Sequence, residues 1–346
     1  MLTFIASVFV FGLLIIFHEF GHFIVAKTVG IKVTEFSLGF GPKLLTVPRG
    51  ETTYNLRLVP LGGFVNMAGM DPNEETDEND IDRGFNKKSV WQRIAVIFAG
   101  PLMNFFLAVL LFAVIFMFQG QPVPSSGTGI GDVMPDYPAA IAGLAAGDKI
   151  LSIDGITVDN WNDMVAIINE RPEKDIAVVV LRDGSELPVE MKTIRGEDGL
   201  GKMGIYPAEE YVKIGFLQSI SLGLQWTVTF TAVIMEFISK MIFGQVPAEL
   251  GGPVRIVNEI GVAAQLGFLM LLKLAAILSL NLGLFNLFPI PALDGSRILF
   301  LLWEKIRRRP FDPVKENFIH LVGFGLLLML MLIITYNDIL QIFFAE

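Results

Sequence analysis

Residues 4–28 read FIASVFVFGLLIIFHEFGHFIVAKT. About 20 predominantly apolar residues are enough for a helix to cross the hydrocarbon core of a bilayer, so this stretch predicts a transmembrane helix. No Lys or Arg precedes the apolar run, as the basic region of a cleavable signal peptide would require, which favours a retained span. The stretch also contains HEFGH at residues 18–22, which places ionisable groups inside the predicted span.

The rest of the chain is also strongly apolar. Of its 346 residues 53% are hydrophobic and only 18% are charged, and the mean hydropathy of +0.58 excludes an ordinary soluble domain. Three further stretches are long enough to cross a bilayer, at residues 93–118, 267–303 and 318–337, and the stretch 267–303 is interrupted by prolines and an Asp-Gly pair within residues 289–295. The predicted fold is a polytopic α-helical membrane protein with about four spans.

Basic residues predict the orientation of these spans. Lys and Arg cluster at residues 87–93, before the second span, and at residues 305–309, after the third. Because loops rich in Lys and Arg stay in the cytoplasm, both loops are expected on the cytoplasmic side. Both termini and the long segment 119–265 are then expected on the opposite side.

A fifth apolar segment covers residues 214–244, but it contains Glu236 and Lys240 and has a polar side. If it crossed the membrane, the basic cluster at residues 305–309 would move to the outside, against the positive-inside bias. We therefore expect a helix on the membrane surface or against the bundle. A genuine fifth span is the alternative.

Residues 126–206 have the pattern of a small soluble α/β domain. Within it, residues 176–191 alternate apolar and polar residues on both sides of an Asp-Gly pair, which predicts a β-hairpin. The pattern GIGDV followed by PAAIAGLAAGDKILSIDGITV resembles a PDZ domain of bacterial membrane-associated proteases. The resemblance implies that residues 129–133, including Ile130, bind an extended peptide by strand addition. A structural spacer is the alternative.

Two β-rich stretches follow the first span, at residues 33–44 and 52–67. Non-helical backbone at membrane depth is tolerated only where it lines protein or water. We expect a β-hairpin that dips into the membrane beside the active site. An ordinary cytoplasmic hairpin is equally allowed by the pattern.

Composition limits the partners and the metal ligands. Much of the net charge of −9 comes from the acidic run DPNEETDENDID at residues 71–82, which predicts a solvated loop, and nucleic acid is not expected as a partner. The chain has no cysteine, so disulfides, thiolate ligands and a cysteine nucleophile are excluded. Any metal ion must be held by His, Asp or Glu.

The HEFGH motif supplies two such ligands. His18 and His22 lie four residues apart, which puts both imidazoles on one face of a helix within reach of one metal ion. Glu19 lies beside them, where a carboxylate can act as a general base toward a water molecule. In a soluble helix the motif could be two structural histidines and a salt-bridged Glu. Within an apolar span, however, ionisable groups cost free energy unless they are paired or coordinated, which favours zinc.

The third ligand is expected from NLFPIPALDGSR at residues 286–297. Asp294 is the first ionisable group after a long uncharged run, at a point where prolines break the helix. The alternative is that Asp294 only caps the helix that follows. His320, the third histidine of the chain, is predicted to be a hydrogen-bonded histidine of the helix bundle rather than a ligand.

HEFGH in the first span and NLFPIPALDG in the third closely resemble the bacterial form of the site-2 protease family of intramembrane metalloproteases. AGPLMNF at residues 99–105 and GGPVRI at residues 251–256 fit the same family, so the likeness covers nearly the whole chain. The resemblance implies Zn²⁺ bound by His18, His22 and Asp294, with Glu19 activating water. The catalytic or substrate-binding residues implied in addition are Asn286 and Asn281, which would hydrogen-bond the substrate backbone or the oxyanion, and Gly62 and Gly63 of the hairpin.

The resemblance also implies the substrates and the location. Family members act in regulated intramembrane proteolysis on single-span proteins already cut by another protease, such as anti-sigma factors or remnant signal peptides. The chain is then expected in the cytoplasmic (inner) membrane of a bacterium, embedded in the lipid bilayer, with its PDZ-like domain outside the cytoplasm. Longer relatives have two PDZ-like domains where this chain has one.

The alternative function is a PDZ-bearing membrane adaptor or transporter with an inactive HExxH motif. A second alternative is a membrane-anchored peptidase that acts on soluble peptides. The expected organisation is a first span with HExxH (1–30), a cytoplasmic loop with the hairpin (31–92), a second span (93–118), the PDZ-like domain with its linker (119–206), membrane-surface helices (207–265), a third span (266–304), a cytoplasmic loop (305–317) and a fourth span with the tail (318–346).

Overall fold

The computed structural model describes residues 1–70, 82–247, 251–309 and 311–344. The acidic loop predicted at residues 71–82 lies, apart from Asp82, outside the described residues. The chain divides into two compact units. One comprises Met1–Phe118 and Gly215–Glu346, and the other comprises Gln119–Ile214.

The first unit contains the long helices and one β-hairpin, and the second unit contains most of the short strands. In chain order the helices are α1 (Leu2–Thr28), α2 (Val90–Gln119), α3 (Pro138–Ile141), α4 (Trp161–Asn169), α5 (Phe216–Ile242), α6 (Pro253–Leu266), α7 (Phe268–Asn286), α8 (Asp294–Arg307) and α9 (Pro313–Phe344). The strands are β1 (Val33–Arg49), β2 (Thr52–Met67), β3 (Gln121–Pro124), β4 (Ile130–Val133), β5 (Lys149–Ile153), β6 (Ile156–Thr157), β7 (Asp175–Arg182), β8 (Ser185–Lys192), β9 (Ile194–Arg195), β10 (Gly201–Lys202), β11 (Ile205–Pro207) and β12 (Glu209–Val212).

Five helices in the described part of the chain are long and apolar enough to cross a membrane. Four of them, namely α1, α2, α7 and α9, lie where the sequence predicts spans. The fifth is α5, the segment for which we predicted a position on the membrane surface. Length and apolar composition therefore admit one more span than the four that we predicted.

The third predicted span is not one continuous helix. Helix α7 ends at Asn286 and α8 begins at Asp294, with a non-helical turn between them. Pro289 and Pro291 lie in this turn, and proline has no backbone N–H to continue a helical ladder. The 19 residues of α7 alone measure roughly 28 Å, close to the hydrocarbon thickness of a bilayer. The break leaves Asp294 at the start of a new helix.

Polar contacts between distant helices fix α6 and α8. The buried Asp338 of α9 accepts hydrogen bonds from the backbone N–H groups of Gly252 and Arg255, at 3.1 and 3.0 Å, and so caps the first turn of α6. Arg93 of α2 forms a bidentate ion pair with Glu304 of α8. Helix α8, which begins with Asp294, is therefore tied to α2 at its other end.

Strands β1 and β2 form an antiparallel hairpin over the stretches where the sequence predicts one, and β1 extends five residues further than expected. The base of the hairpin is held in a small core, in which Val33 and Met67 pack with Ala26, Ile31 and Val96. The register shifts several times along the ladder, so the hairpin is bulged and twisted. Because its base is anchored on α1 and α2, the hairpin has a fixed position beside α1.

The second unit is an α/β domain around its own core. Its largest sheet is antiparallel, with the order β6-β5-β7-β8, and Asp183-Gly184 turns the β7–β8 hairpin with φ angles of 51° and 82°. Two positive φ angles are what a two-residue hairpin turn of type I′ requires, as the Asp-Gly pair predicts. Strand β4 pairs with β11 and β3 pairs with β12.

Ile130 does not have the role that the sequence suggests. Its side chain is 1% exposed and belongs to the core cluster of the second unit, so it cannot contact a bound peptide. The alternation of a strand points successive side chains to opposite faces, and Ile130 points inward. A charged substitution such as Ile130→Arg would unfold this domain rather than probe peptide capture.

Candidate metal centre

Helix α1 presents the two histidines of the HEFGH motif to one point. The Nε2 atoms of His18 and His22 lie 3.3 Å apart, and the ring centroids are 4.8 Å apart. Four residues make slightly more than one helical turn, so the imidazoles lie on one face of α1, with their planes nearly perpendicular. His22 is 7% exposed and the surrounding helix face is apolar.

Asp294 reaches the same point from α8. Its Oδ2 atom lies 3.2 Å from His18 Nε2 and 3.4 Å from His22 Nε2. The three residues thus offer ligand atoms that all lie within 4.8 Å of one another. The alternative in which Asp294 caps α8 is wrong, because Leu293 occupies the N-cap position and Asp294 is the first helical residue.

The chemistry of these atoms fits a metal cation. His22 Nδ1 lies 2.8 Å from the carbonyl oxygen of Val96, and since a carbonyl only accepts, this nitrogen carries the proton. The Nε2 atom of neutral His22 therefore has its lone pair free. Asp294 Oδ2 is buried and has no hydrogen-bond partner among the described residues. Lone pairs that converge in a buried site are stabilised by a shared cation, and two nitrogens with one oxygen suit zinc with a position left open.

Asn104 of α2 orients His18 and was given no role by the sequence analysis. Its amide nitrogen lies 3.2 Å from His18 Nδ1, whereas its Oδ1 atom is buried and has no hydrogen-bond partner among the residues that the structure describes. If the Asn104 amide is flipped so that its oxygen and nitrogen change places, Asn104 Oδ1 accepts a hydrogen bond from the Nδ1–H group of His18. His18 Nε2 is then unprotonated. Both histidines then have their second nitrogen bonded to an acceptor, the usual support for metal-binding histidines. A fully buried asparagine within an apolar helix is the signal that could have found it.

Glycines let α1 and α2 approach closely at the centre. A Cβ atom on Gly21 would overlap the carbonyl of Ala99, and one on Gly100 would overlap the His22 ring. Only residues without a side chain allow this approach, which is typical of helix packing in membranes. The AGP sequence of α2 is thus a packing surface for the His22 ring.

Glu19 lies beside the candidate metal-binding atoms and the hairpin. Its carboxylate is close enough to His18, His22 and Asp294 to interact electrostatically with all three. A Cβ atom on Gly63 of β2 would lie 3.0 Å from the Glu19 Cγ atom, so the backbone of β2 runs directly against the Glu19 side chain. Gly62 has a φ of +99° and packs against the Phe40 ring.

The two asparagines implied by the resemblance lie on α7. Asn286 is the last residue of the helix, and Asn281 is five residues earlier; both are partly buried. Within the part of the chain that the structure describes, neither side chain forms a hydrogen bond to the three metal-binding residues. Their contact with substrate stays a prediction.

Comparison with known proteins covers nearly the whole chain. The sequence pattern of Peptidase family M50 matches residues 6–330. Zinc metalloprotease RasP of Bacillus licheniformis is 36% identical over 423 aligned positions, which cover 99% of each protein. Regulator of sigma-W protease RasP of Bacillus subtilis is 34% identical over 422 positions, again covering 99% of each. Because 423 positions exceed the 346 residues of this chain, the first relative has residues without a counterpart here.

A solved structure resembles part of the chain. The PDZ domain of the SdrC-like protein from Listeria monocytogenes aligns with 24% of this chain and 88% of its own, at 24% identity and a TM-score of 0.22.

Proposed function

Since the chain belongs to Peptidase family M50 and is an intramembrane zinc metalloendopeptidase, we propose that His18, His22 and Asp294 hold its zinc ion and that it cuts transmembrane segments of single-span proteins. The observation that carries this proposal is the convergence of three ligand atoms within 4.8 Å inside an apolar helical unit. Helix α1 carries the two histidines, and α7 leads through the turn to Asp294. Both helices are long and apolar enough to lie in the membrane.

The residues around the cluster have distinct tasks in this proposal. Zinc, when bound, acts as a Lewis acid that lowers the pKa of a water ligand to about 7. Glu19 accepts the proton of the attacking water and returns it to the leaving amine. Asn286, with Asn281, donates hydrogen bonds to the substrate backbone or to the developing oxyanion. Asn104 and the Val96 carbonyl hold the two imidazoles in their orientation.

The β1–β2 hairpin is the element that presents substrate. A peptide bond within an α-helix is sheltered by the i→i−4 hydrogen bonds, so a protease needs it in an extended conformation. An extended segment paired with β2 near Gly62 and Gly63 would lie next to Glu19, because β2 contacts the Glu19 side chain there. The Phe40 ring and the Ser37 carbonyl oxygen already lie against Gly62 and Gly63, so the two glycines let the hairpin pack closely beside Glu19. This hairpin thus lies in the membrane as a re-entrant element.

We propose that the second unit lies outside the cytoplasm and selects substrates there. We place it there, with four spans and α5 on the membrane surface, because the basic clusters at residues 87–93 and 305–309 then face the cytoplasm. It would take the new C-terminus of a substrate already cut by another protease. One relative is named a regulator of a sigma factor, and membrane-bound anti-sigma factors are the substrate class that fits this arrangement.

We propose a different groove for peptide binding from the strand expected at residues 129–133. The second unit has a cavity of about 530 Å³ between α4 and residues 200–207. Trp161, Val165 and Asn169, which are partly exposed, line it from α4, and β11 lines it from the other side. An apolar wall opposite a short strand suits an extended peptide that adds to the strand. We assign peptide capture to this groove.

The competing function is a membrane adaptor or transporter with an inactive motif. A binding protein would need the membrane helices and the second unit but would not need Glu19 beside two histidines whose Nε2 atoms meet Asp294. The arrangement of these four side chains therefore favours catalysis over binding alone.

Cleavage in liposomes tests the proposal. Purified protein would be reconstituted with a single-span substrate, either intact or already trimmed on the outer side, and assayed with and without a membrane-permeable chelator. We expect about one zinc per chain, preferential cleavage of the trimmed substrate within its span, and loss of cleavage on chelation that zinc restores. Cleavage that persists in metal-free protein, or cuts located only outside the span, would refute it.

The orientation of the Asn104 amide gives a separate prediction. If Oδ1 accepts from His18, Asn104→Asp keeps an acceptor at that position and should bind zinc at least as tightly as the wild type. Asn104→Leu removes the acceptor, and its zinc affinity should fall about 10- to 100-fold, the usual range for residues that orient a ligand. Chelator competition measures both constants.

Weaker zinc binding by Asn104→Asp than by Asn104→Leu would contradict the assignment of Oδ1 as the acceptor. Were the amide nitrogen to donate to His18, a carboxylate would repel the ring nitrogen, and Asn104→Asp would bind zinc more weakly than Asn104→Leu. Ser279 donates to the backbone oxygen of residue 104, so it keeps its contact in both variants. The comparison therefore isolates the side chain.

A further inference from the structure

We propose that α9 positions the third metal ligand, through His320 and Gly323, which together hold the turn before Asp294 in a strained conformation. This inference rests on the proposed role of Asp294 as a ligand. Neither His320 nor Gly323 touches the metal-binding atoms, so both are positioning residues. The contacts that support the proposal all lie in the first compact unit.

The turn between α7 and α8 needs to be held from outside. It is closed by two short hydrogen bonds, from Ile290 N–H to Phe288 and from Leu293 N–H to Ile290, at 2.8 and 3.0 Å. Ala292, two residues before Asp294, has a φ of +79°. This left-handed region is unfavourable for a residue with a Cβ atom, and such strain persists only where surrounding contacts over-determine it.

His320 provides the first of these contacts. Its Nδ1 atom accepts a hydrogen bond of 3.0 Å from the backbone N–H of Ala292, the strained residue itself. Because a backbone N–H can only donate, Nδ1 is unprotonated and the proton of the neutral ring is on Nε2. Nε2 points toward Glu316, whose Oε1 atom is 3.7 Å away, and it has no hydrogen bond within the described ranges of the chain. The carboxylate thus favours the tautomer that the turn requires.

Further contacts hold the ring in place from α8 and along α9. The ring of His320 packs edge-on against Phe300 of α8, with 5.8 Å between the centroids. Gly323, one helical turn after His320, faces the same turn: a Cβ atom there would overlap the Pro291 side chain and lie 2.8 Å from the Pro291 oxygen. Residues three apart lie on one face of a helix. This face of α9 therefore meets Pro291 and Ala292 together.

The consequence for the metal centre follows from the short connection. Only Leu293 separates Ala292 from Asp294, so relaxation of Ala292 to a negative φ would rotate the start of α8 and move Oδ2 away from the two imidazoles. Metal centres need ligands held within about 0.5 Å and 10–20° of the binding geometry. The role of His320 is to exclude that relaxation. The hydrogen bond from Ala292 confirms the prediction that His320 is a hydrogen-bonded histidine. Because Ala292 is the strained residue before Asp294, this bond also supports the positioning role.

Substitutions that differ in one acceptor atom test the proposal. The amide oxygen of Asn occupies nearly the position of His Nδ1, so His320→Asn keeps an acceptor for Ala292, whereas His320→Leu keeps bulk and removes it. Zinc dissociation constants would be measured by chelator competition, together with the visible absorption spectrum of the cobalt-substituted full-length protein. We expect His320→Leu to bind zinc about tenfold more weakly and with an altered cobalt spectrum. His320→Asn should stay within about threefold of the wild type, because the bond to Ala292 remains.

Two further variants separate positioning from packing. Glycine adopts a positive φ without strain, so Ala292→Gly added to His320→Leu should recover most of the lost zinc affinity. Gly323→Ala should weaken zinc binding as His320→Leu does, because its methyl group displaces Pro291. Leu321→Ala is the matched control: this α9 side chain is 67% exposed and should leave the zinc constant unchanged.

The outcomes are distinguishable from failure of the proposed function. Wild-type zinc binding with unchanged constants for His320→Leu would overturn the positioning role alone. Equal losses in His320→Leu and His320→Asn, with no recovery by Ala292→Gly, would also overturn it and leave only a packing role. A wild-type protein that binds no zinc would refute the proposed function and this inference together.

Discussion

Glu19→Gln is expected to keep the zinc ion and the fold but to lower the rate of intramembrane cleavage by about 10³-fold. A glutamine amide cannot accept the proton of the attacking water, and general-base catalysis contributes typically 10²–10⁴-fold. The proposed zinc ligands are untouched, and the new side chain has nearly the same volume against Gly63. Single-turnover cleavage of a trimmed single-span substrate in liposomes measures the rate.

The control for this variant is Gly63→Ala. A methyl group there would lie 3.0 Å from the Glu19 Cγ atom and 2.9 Å from the Ser37 carbonyl oxygen, so it should displace the carboxylate or the strand and slow cleavage while Glu19 remains. Glu19→Gln should also retain uncut substrate in a stable complex, because binding does not need the proton acceptor. Near wild-type cleavage by Glu19→Gln would remove Glu19 from the mechanism.

The three side chains of the candidate metal centre were all expected, from the sequence, to lie together. His18 and His22 are four residues apart on one helix, so their mutual position depends on helix geometry alone. Asp294 is remote in sequence, but two prolines and a long uncharged run mark the point where the chain leaves helical structure. Local rules therefore identified all three residues that the structure brings together.

The residues that support the centre could not be predicted in the same way. Asn104 contacts His18, which is 86 residues away in the sequence, and His320 contacts Ala292, which is 28 residues away. These contacts depend on how α2, α8 and α9 pack. Ile130 illustrates the opposite error: a motif correctly suggested a strand, but the side of the strand that faces the core depends on register with β11. Periodicity identifies elements, whereas tertiary packing decides which side chains meet.

Asp294→Ala is expected to abolish zinc binding at micromolar zinc, with a fall in affinity of at least about 10²-fold. The variant leaves two nitrogen ligands where a zinc site with an open position normally has three protein ligands. Metal analysis of the purified protein and chelator competition measure the loss, and His22→Ala should behave alike. Full zinc retention in Asp294→Ala would remove Asp294 from the ligands.

Thermal unfolding of the same variant separates loss of a ligand from damage to the fold. In the zinc-free protein Asp294 Oδ2 is a buried acceptor without a hydrogen-bond partner within the described part of the chain, and such a group costs about 1–3 kcal/mol. Removing it relieves that cost but forgoes the favourable interaction of a carboxylate with the start of α8, about 0.3–1 kcal/mol. Zinc-free Asp294→Ala should therefore unfold at the wild-type temperature or above it.

In the wild type, by contrast, zinc should raise the free energy of unfolding. The gain is about 2.7 kcal/mol when the free zinc concentration is one hundred times the dissociation constant. Asp294→Ala should show no such shift at the same zinc concentration, because the native state no longer binds the ion more tightly than the unfolded chain does. A variant that is already less stable without zinc would mean that Asp294 holds α8 in place through its contacts with His18 and His22. The order of the two zinc-free unfolding temperatures thus decides whether this carboxylate is kept in the apolar unit for the metal ion or for the fold.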